Sequence, residues 1–210
     1  MRNFLRRFAS LALAALVTAA AAAPPATPTQ RVRGAIDDVL AVLAEAGTDR
    51  EERWQRIGQV ISRSFDFQTM SQSVLATRWK EATPAERDRF VQFFSQYLED
   101  TYRTRIEGYT GQEIRYANES IKGDKATVDT LIVGGGRQVP VRYRLHRSEG
   151  TWYAHDVEIE GVSLVNDYRN TISAIARTEG MDGVIGDLQE RIARYRAQKP
   201  AAPAPAAGAH

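Results

Sequence analysis

The first half of the chain carries apolar residues at three- and four-residue spacing, which places them on one face of an α-helix. This pattern predicts a first helix from Gln30 that ends at Gly47. A second helix is predicted to start near Asp49, where acidic residues fill the first turn. A shorter segment from Phe67 to Leu75 has the same period. The sequence therefore predicts three consecutive amphipathic helices.

A fourth helix carries the clearest start signal. The segment Thr83–Glu86 matches a capping box with proline at the first helical position. After it, one continuous apolar face is formed by Phe90, Phe93, Phe94, Tyr97, Leu98, Tyr102, Ile106 and Tyr109. This helix is predicted to be long, aromatic and amphipathic.

Near Gly111 the period changes from helix to strand. Four strands are predicted over Glu113–Ala117, Lys125–Val133, Gln138–Arg147 and Thr151–Glu160. Short connections, including the glycine triplet 134–136, predict an antiparallel meander. The pattern does not decide which alternating set of residues in Lys125–Val133 faces the interior.

Two further helices are predicted, one from Gly161–Ser163 to about Thr178 and one over Met181–Ala197. Ser163 is interpreted as the N-cap of the first. Helices followed by a meander and more helices predict a single-domain α+β fold. The helices would pack on one face of a twisted four-stranded antiparallel sheet, in a cone-like, NTF2-like arrangement.

The N-terminal segment predicts export from the cytoplasm. Arginines precede an uncharged Leu/Ala-rich stretch that ends in small residues, as in a cleaved signal peptide. We predict a signal peptide over 1–22, a disordered linker over 23–29, a folded domain over 30–198 and a disordered Ala/Pro tail over 199–210. The predicted location is the periplasm of a Gram-negative bacterium.

Removal of that segment changes the charge. Lys and Arg number 28, three of them in the segment, against 26 Asp and Glu, so the remaining chain has a net charge of −1. A nucleic-acid partner is not expected, because phosphate binding requires a surplus of positive charge. The absence of cysteine excludes disulfides and thiolate sites.

Catalytic and metal-binding motifs are weak or missing. His155 and Asp156 are neighbours on a predicted strand and point to opposite faces. The segment Gly161–Val165 has only half of a nucleophile elbow. No phosphate-binding loop and no metal-ligand spacing is present in the sequence. The sequence therefore predicts neither an enzyme nor a cofactor or metal site.

Several segments resemble the MlaC/Ttg2D family, the phospholipid-binding auxiliary components of ABC-type lipid transport systems, also called toluene tolerance proteins. They are Asp66–Ser71, Val74–Leu75, Trp79, Thr83–Pro84, Arg87, Phe90, Phe94, Tyr97, Tyr102, Val141–Tyr143, Trp152–Val157, Glu160–Val165 and Asn166–Arg169. The resemblance covers about Gln30 to Tyr195. Ala76 departs from it, because we expect a glycine there.

The resemblance implies a periplasmic carrier that shields phospholipid acyl chains and shuttles the lipid between an outer-membrane lipoprotein complex and an inner-membrane ABC transporter with an MCE-domain subunit. Such a carrier would maintain the lipid asymmetry of the outer membrane. The phospholipid would be cargo rather than cofactor, and a monomer is expected.

Helix periodicity, strand alternation and the resemblance together suggest which residues line the cavity. We expect Phe90, Phe94, Tyr97, Leu98, Val128, Thr130, Ile132, Val141, Tyr143, Val157, Ile159, Val162, Leu164 and Tyr168. Arg169 is a candidate for a head-group contact at the mouth, and a structural role for it is an equal alternative.

Two other functions remain open at this level. A cone-like fold can also hold a small-cavity isomerase or hydratase, for which Asp156, His155 and Tyr143 are the possible catalytic set. A ligand-free periplasmic adaptor with a solid core is the other. Both predict that no lipid is bound.

Overall fold

A computed structural model describes residues 26–197 of the chain. Its helices are α1 (Pro28–Ala44), α2 (Arg50–Ser64), α3 (Phe67–Leu75), α4 (Thr77–Glu81), α5 (Pro84–Glu107) and α6 (Leu164–Ala197). Its strands are β1 (Glu113–Lys122), β2 (Lys125–Gly134), β3 (Arg137–Ser148), β4 (Thr151–Ile159) and β5 (Val162–Ser163). The predicted α+β class is confirmed. The sheet has five antiparallel strands in sequence order, so the prediction of four missed the two-residue β5.

The same capping signal starts α1 and α5. In α1, Gln30 N donates to Thr27 Oγ1 over 3.2 Å and Thr27 N donates to Gln30 Oε1 over 2.9 Å. The capping box predicted at Thr83 is present in α5. Because Thr27 caps α1, the helix begins at Pro28 rather than at Gln30, and residues 28–29 are helical instead of linker. The predicted signal peptide (1–22) and tail (199–210) lie outside the described residues.

The two faces of the sheet differ in polarity. Even-numbered residues of β2 are the more buried set, and they include Val128 and Thr130. The even-numbered residues of β2 are therefore the set that faces the interior, which the sequence pattern could not decide. On the opposite face, Arg142 Nε lies 2.6 Å from Asp129 Oδ1. Arg144 Nη2 lies 2.7 Å from Glu158 Oε2 on the same face. Only the first face is apolar enough to receive the helices.

Two backbone positions interrupt the helices. Gly180 has φ 69° and ψ −164°, which breaks α6 between the two helices that the sequence predicted separately. Ala76, between α3 and α4, has φ 51° and ψ −116°. That conformation is unfavourable for a residue with a Cβ.

Buried side chains form three separate clusters among the described residues. One joins α3, α5 and α6 and contains Met70, Phe90, Phe94 and Leu188. Another packs α1 on the sheet and includes Val32, Val128, Leu145 and Trp152. The clusters do not merge into one solid core, and the space between them holds the candidate site.

Candidate functional site

A cavity of about 420 Å³ lies between the helices and the apolar face of the sheet. It is open to solvent and lies within the size range of small-molecule sites, roughly 300–1,000 Å³. An engineered core cavity of roughly 150 Å³ already admits benzene. The space is therefore large for a defect in packing.

Nearly every side chain in the cavity wall is apolar or aromatic. The helices contribute Val32, Ala35, Ile36, Val39, Leu40, Leu43, Val60, Ile61, Phe67, Met70, Leu98, Tyr102 and Ile106. The sheet contributes Ile132, Val139, Val141, Tyr143, Leu145, Ala154, Val157 and Ile159. Phe65, Tyr109 and Leu164 also line it, together with the polar Ser64 and three charged side chains, Arg31, Glu99 and Arg105. Such a wall suits hydrocarbon and offers little to a polar substrate.

Burial of the wall changes along its length. Leu145 and Ala154 are buried at one end of the sheet. Ile132 and Val139, beside the β2–β3 turn, are only partly buried, and Arg105 near the end of α5 is exposed. The wall is therefore more exposed near the C-terminal end of α5 and the β2–β3 turn than near Leu145 and Ala154.

Tyr143 contributes a phenol hydroxyl to the sheet wall. Burial raises the pKa of Tyr143 to about 12, Tyr116 adds to this effect, and a hydrogen bond with Thr130 opposes it. The phenol is therefore neutral at physiological pH. It behaves as part of an apolar wall rather than as a base.

Some of the predicted lining residues do form the wall. They are Leu98, Ile132, Val141, Tyr143, Val157, Ile159 and Leu164. The sheet residues among them share one face, as strand alternation requires. Their contact with a lipid stays a prediction.

The other predicted residues of α5 lie outside the wall. Phe90, Phe94 and Tyr97 belong to the core between α3, α5 and α6, where Tyr168 also packs. Tyr168 meets Phe94 and Tyr97 edge-on, with ring centroids 5.6 and 5.5 Å apart. The N-terminal part of the apolar face of α5 packs on α6, and its C-terminal part faces the cavity. Helical periodicity predicts the face but not which part of it contacts which neighbour.

The remaining predicted positions also lie outside the wall. Val128 and Thr130 are buried beneath α1 or within the sheet, and Val162 is 57% exposed. Arg169 Nε donates to the Ser73 carbonyl over 2.8 Å, which joins α6 to α3. The structural alternative for Arg169 is therefore the one that the contacts support.

Sequence reasoning missed the contribution of α1. Its apolar residues, from Val32 to Leu43, form much of the wall opposite the sheet. Their spacing predicts an apolar helix face. The same spacing is found in helices that pack on a solid core, so it does not indicate a cavity. Arg105 was missed because a single arginine on a helix carries no pattern.

The possible catalytic set does not come together. Asp156 accepts hydrogen bonds from Ser163 Oγ (2.7 Å) and Val165 N (3.1 Å), so it holds the start of α6. His155 stacks on His146 with centroids 5.5 Å apart, and only Tyr143 of the three lines the cavity. Ser163 Oγ accepts from Asn166 N, as its predicted N-cap role requires.

Other surface features do not compete with the cavity as a ligand site. A larger groove of about 940 Å³ between α2 and α5 is lined mostly by polar and charged residues, with Trp54 and Tyr195 among them. Several of these charges are paired within the chain, as in Arg50–Glu107 and Arg103–Glu51. Within residues 26–197, no helix is long and apolar enough to cross a membrane. No group of three or more His, Asp or Glu side chains there is placed to hold a metal ion.

Comparison with known proteins identifies the family. The family model described as "MlaC protein" matches residues 33–190, most of the chain. The chain belongs to the MlaC family. The predicted resemblance is thereby confirmed.

MlaC relatives with curated names agree with this assignment. The toluene tolerance protein ttg2D of Pseudomonas putida is 24% identical over 187 residues, which cover 87% of each chain. The intermembrane phospholipid transport system binding protein MlaC of Haemophilus influenzae is 24% identical over 123 residues, 56% of this chain and 58% of that protein.

A solved MlaC-like structure shares the fold. It is the phospholipid-binding protein of Ralstonia solanacearum in complex with a phospholipid, with a TM-score of 0.73 and 25% identity. The match covers 79% of this chain and 97% of that one. The helix-and-sheet architecture described above is therefore also that of a protein seen with a phospholipid.

Proposed function

We propose that this MlaC-family chain is a phospholipid carrier that holds acyl chains in the cavity between α1, α5 and the sheet. The observation that carries the proposal is an open, almost wholly apolar cavity of about 420 Å³ at the centre of the fold. The names of the relatives, which refer to phospholipid binding and transport, support the same function.

The energetics of lipid transfer explain why such a cavity is needed. Two acyl chains of the C16 type carry about thirty methylene groups, and each costs ~0.8 kcal/mol in water, so full exposure costs on the order of 20 kcal/mol. A protein that replaces the bilayer around the tails removes most of this barrier. Apolar contact of this kind requires no covalent step and no cofactor.

The proposed setting is the periplasm. The Arg-bearing, Ala/Leu-rich N-terminus supports export, and membership of the MlaC family supports a place in an intermembrane transport system. We propose that the chain passes lipid, as a monomer, between an outer-membrane lipoprotein complex and an inner-membrane ABC transporter with an MCE-domain subunit. In this role it would help to maintain outer-membrane lipid asymmetry.

Adjacent residues of β2 provide a matched test of the carrier function. Ile132 lines the cavity, whereas Leu131 points to the opposite face of the sheet. Ile132→Asp places a negative charge in the apolar wall, where it opposes both the acyl chains and the anionic phosphate of the lipid, and should reduce co-purified lipid at least about tenfold. Leu131→Asp should leave the lipid content unchanged. Native mass spectrometry of protein from a periplasmic extract measures both.

The same measurement separates the alternatives. A wild-type mass that includes diacyl lipid supports the carrier. A bare polypeptide mass would favour the ligand-free adaptor or a small-molecule enzyme. Equal lipid loads in Ile132→Asp and wild type, with both folded by circular dichroism, would place the lipid elsewhere.

A further inference from the structure

Three charged side chains reach the cavity wall, and two of them are engaged elsewhere. Arg31 donates to the Trp152 carbonyl over 3.2 Å and to the Arg63 carbonyl, so its guanidinium is held by the backbone. The Glu99 carboxyl lies beside Gly58 on α2, towards the polar groove. Burial raises the pKa of Glu99, and Asp100 adds to that effect. Neither side chain is free to bind a charged group at the mouth.

Arg105 is the third, and its situation differs. It is exposed, it lies near the C-terminal end of α5, and within residues 26–197 no carboxylate oxygen lies within 4 Å of its guanidinium. Its close neighbour Arg103 is instead paired with Glu51 and Glu107. An arginine without a counter-ion beside an apolar opening leaves its hydrogen-bond donors available.

The aromatic ring of Tyr102 orients this side chain. The Arg105 guanidinium lies 5.2 Å from the centre of that ring, also part of the wall. Burial raises the pKa of Tyr102, and the charge of Arg105 and a hydrogen bond with its guanidinium oppose the rise. This contact holds the guanidinium near the ring, and its other N–H groups can still donate to a ligand.

We propose that Arg105 binds the phosphate of the cargo lipid at the mouth of the cavity. The inference rests on the proposed carrier function and deepens it. A guanidinium can donate two parallel hydrogen bonds to two oxygens of a phosphodiester, which a hydroxyl or an ester cannot match. The phosphate then stays at the solvent-facing end, and the tails run towards Leu145 and Ala154.

The proposal predicts selectivity for a shared chemical group rather than for one head group. Phosphatidylglycerol and other phospholipids carry the same phosphodiester, so Arg105 should not distinguish among them. It should distinguish them from diacylglycerol, which has the same tails and no phosphate. Arg169, with its Nε bonded to the Ser73 carbonyl, should contribute nothing to this preference.

The experiment is a competition for loading of delipidated protein. The full mature chain is incubated with mixed vesicles that hold phosphatidylglycerol and a diacylglycerol with identical acyl chains, and native mass spectrometry gives the ratio bound. Variants are Arg105→Gln and Arg169→Gln. The matched control is Arg33→Gln, because Arg33 also stacks on a tyrosine, Tyr116 at 4.0 Å, but lies outside the wall.

The expected result is a wild-type preference for phosphatidylglycerol of about tenfold or more, reduced to near equality in Arg105→Gln with the total lipid load retained. Arg33→Gln and Arg169→Gln should keep the wild-type ratio. An unchanged ratio in Arg105→Gln, or a loss in Arg169→Gln instead, would overturn the assignment. A wild-type chain that takes up neither lipid contradicts the carrier function itself.

A second arm separates a lipid phosphate from a free one. Inorganic phosphate in excess is added to the loaded and to the lipid-free protein. No displacement of lipid and no Arg105-dependent rise in the melting temperature are expected. Displacement together with such a rise would identify Arg105 as a site for free phosphate and reject the lipid assignment.

Discussion

At the scale of single residues, Ala76 shows how a local departure from the family can be read physically. Its φ of 51° and ψ of −116° belong to a region that glycine occupies freely and other residues avoid. The family resemblance predicts glycine at this position, and the backbone conformation gives a physical reason for that prediction. Strain of this kind costs about 1–3 kcal/mol per residue.

Ala76→Gly should therefore stabilise the protein. The expected increase in the free energy of unfolding is about 1 kcal/mol, because relief of strain exceeds the added flexibility of the unfolded chain. For a domain of this size the melting temperature should rise by about 2–4 °C. Thermal and urea unfolding followed by circular dichroism measure both quantities.

A control variant should change the free energy of unfolding in the opposite direction. Ala193 is also exposed, but it lies within α6 in ordinary helical conformation. Ala193→Gly should lower the free energy of unfolding by about 1 kcal/mol. If Ala76→Gly destabilised the protein to the same extent, the strain at residue 76 would be disproved.

At the scale of elements, ionic contacts at Glu107 join α2 to α5. Burial alone would raise the pKa of Glu107, but hydrogen bonds from Arg50 and Arg103 outweigh it and lower the pKa below its usual value. The Arg103 Nε lies 2.9 Å from Glu107 Oε1, and Arg50 reaches the same carboxylate. The charged form of Glu107 is thus the one that the folded state favours.

A lowered pKa fixes the direction of the pH effect. The stabilisation is fully present above the unfolded pKa of about 4.3 and is lost as the pH falls through the lower folded value. Glu107→Gln should therefore be less stable than wild type at pH 7, and the difference should shrink below pH 4. Urea unfolding across that range measures it.

Glu190 provides the comparison for this prediction. It is exposed on α6 and forms no ion pair among the residues that the structure describes. Glu190→Gln should leave the pH profile of stability unchanged. Parallel profiles for wild type and Glu107→Gln would show that the α2–α5 contact contributes nothing specific.

Most elements were predictable because their signals are local. The Thr83–Glu86 box, the break before Met181 and the strand alternation each depend on a few neighbouring residues. The start of α1 was misplaced only because the equivalent Thr27–Gln30 box was not recognised. Which part of α5 faces the cavity depends instead on the position of α6, and no local pattern contains that information.

At the scale of the whole molecule, the separate side-chain clusters leave the centre of the fold unfilled. Burial of lipid tails would supply the apolar contacts that a solid core makes with itself. The folded state should therefore be more stable with cargo than without it. Nothing in the hydrophobic pattern distinguishes this arrangement from a solid core, which is why the cavity was expected from the family resemblance alone.

Removal of lipid should thus lower the melting temperature. A ligand at a hundredfold excess over its dissociation constant stabilises by about 2.7 kcal/mol, which corresponds to a shift of about 5 °C or more at this chain length. Differential scanning fluorimetry before and after extraction of lipid measures the shift, and vesicles should restore it.

Ile132→Asp tests whether the shift in melting temperature arises from lipid bound in the cavity. This variant should melt at the same temperature before and after extraction, because it binds little lipid. Leu131→Asp should behave as wild type. An extraction-dependent shift of equal size in Ile132→Asp would mean that the stabilising lipid binds outside the described wall.

The position of β1 at the edge of the sheet bears on aggregation. Within residues 26–197, β1 has a strand partner on one side only, and an open edge of this kind can join the same edge of another molecule and start polymerisation. A register break between Tyr116 and Asn118 distorts this edge. Glu113 and Arg115 form an ion pair on this strand, and Glu119 accepts a hydrogen bond from Thr29 N. Charged side chains on an edge strand disfavour pairing with an incoming strand. The chain can thus keep an apolar interior open to solvent without aggregating at its most exposed strand.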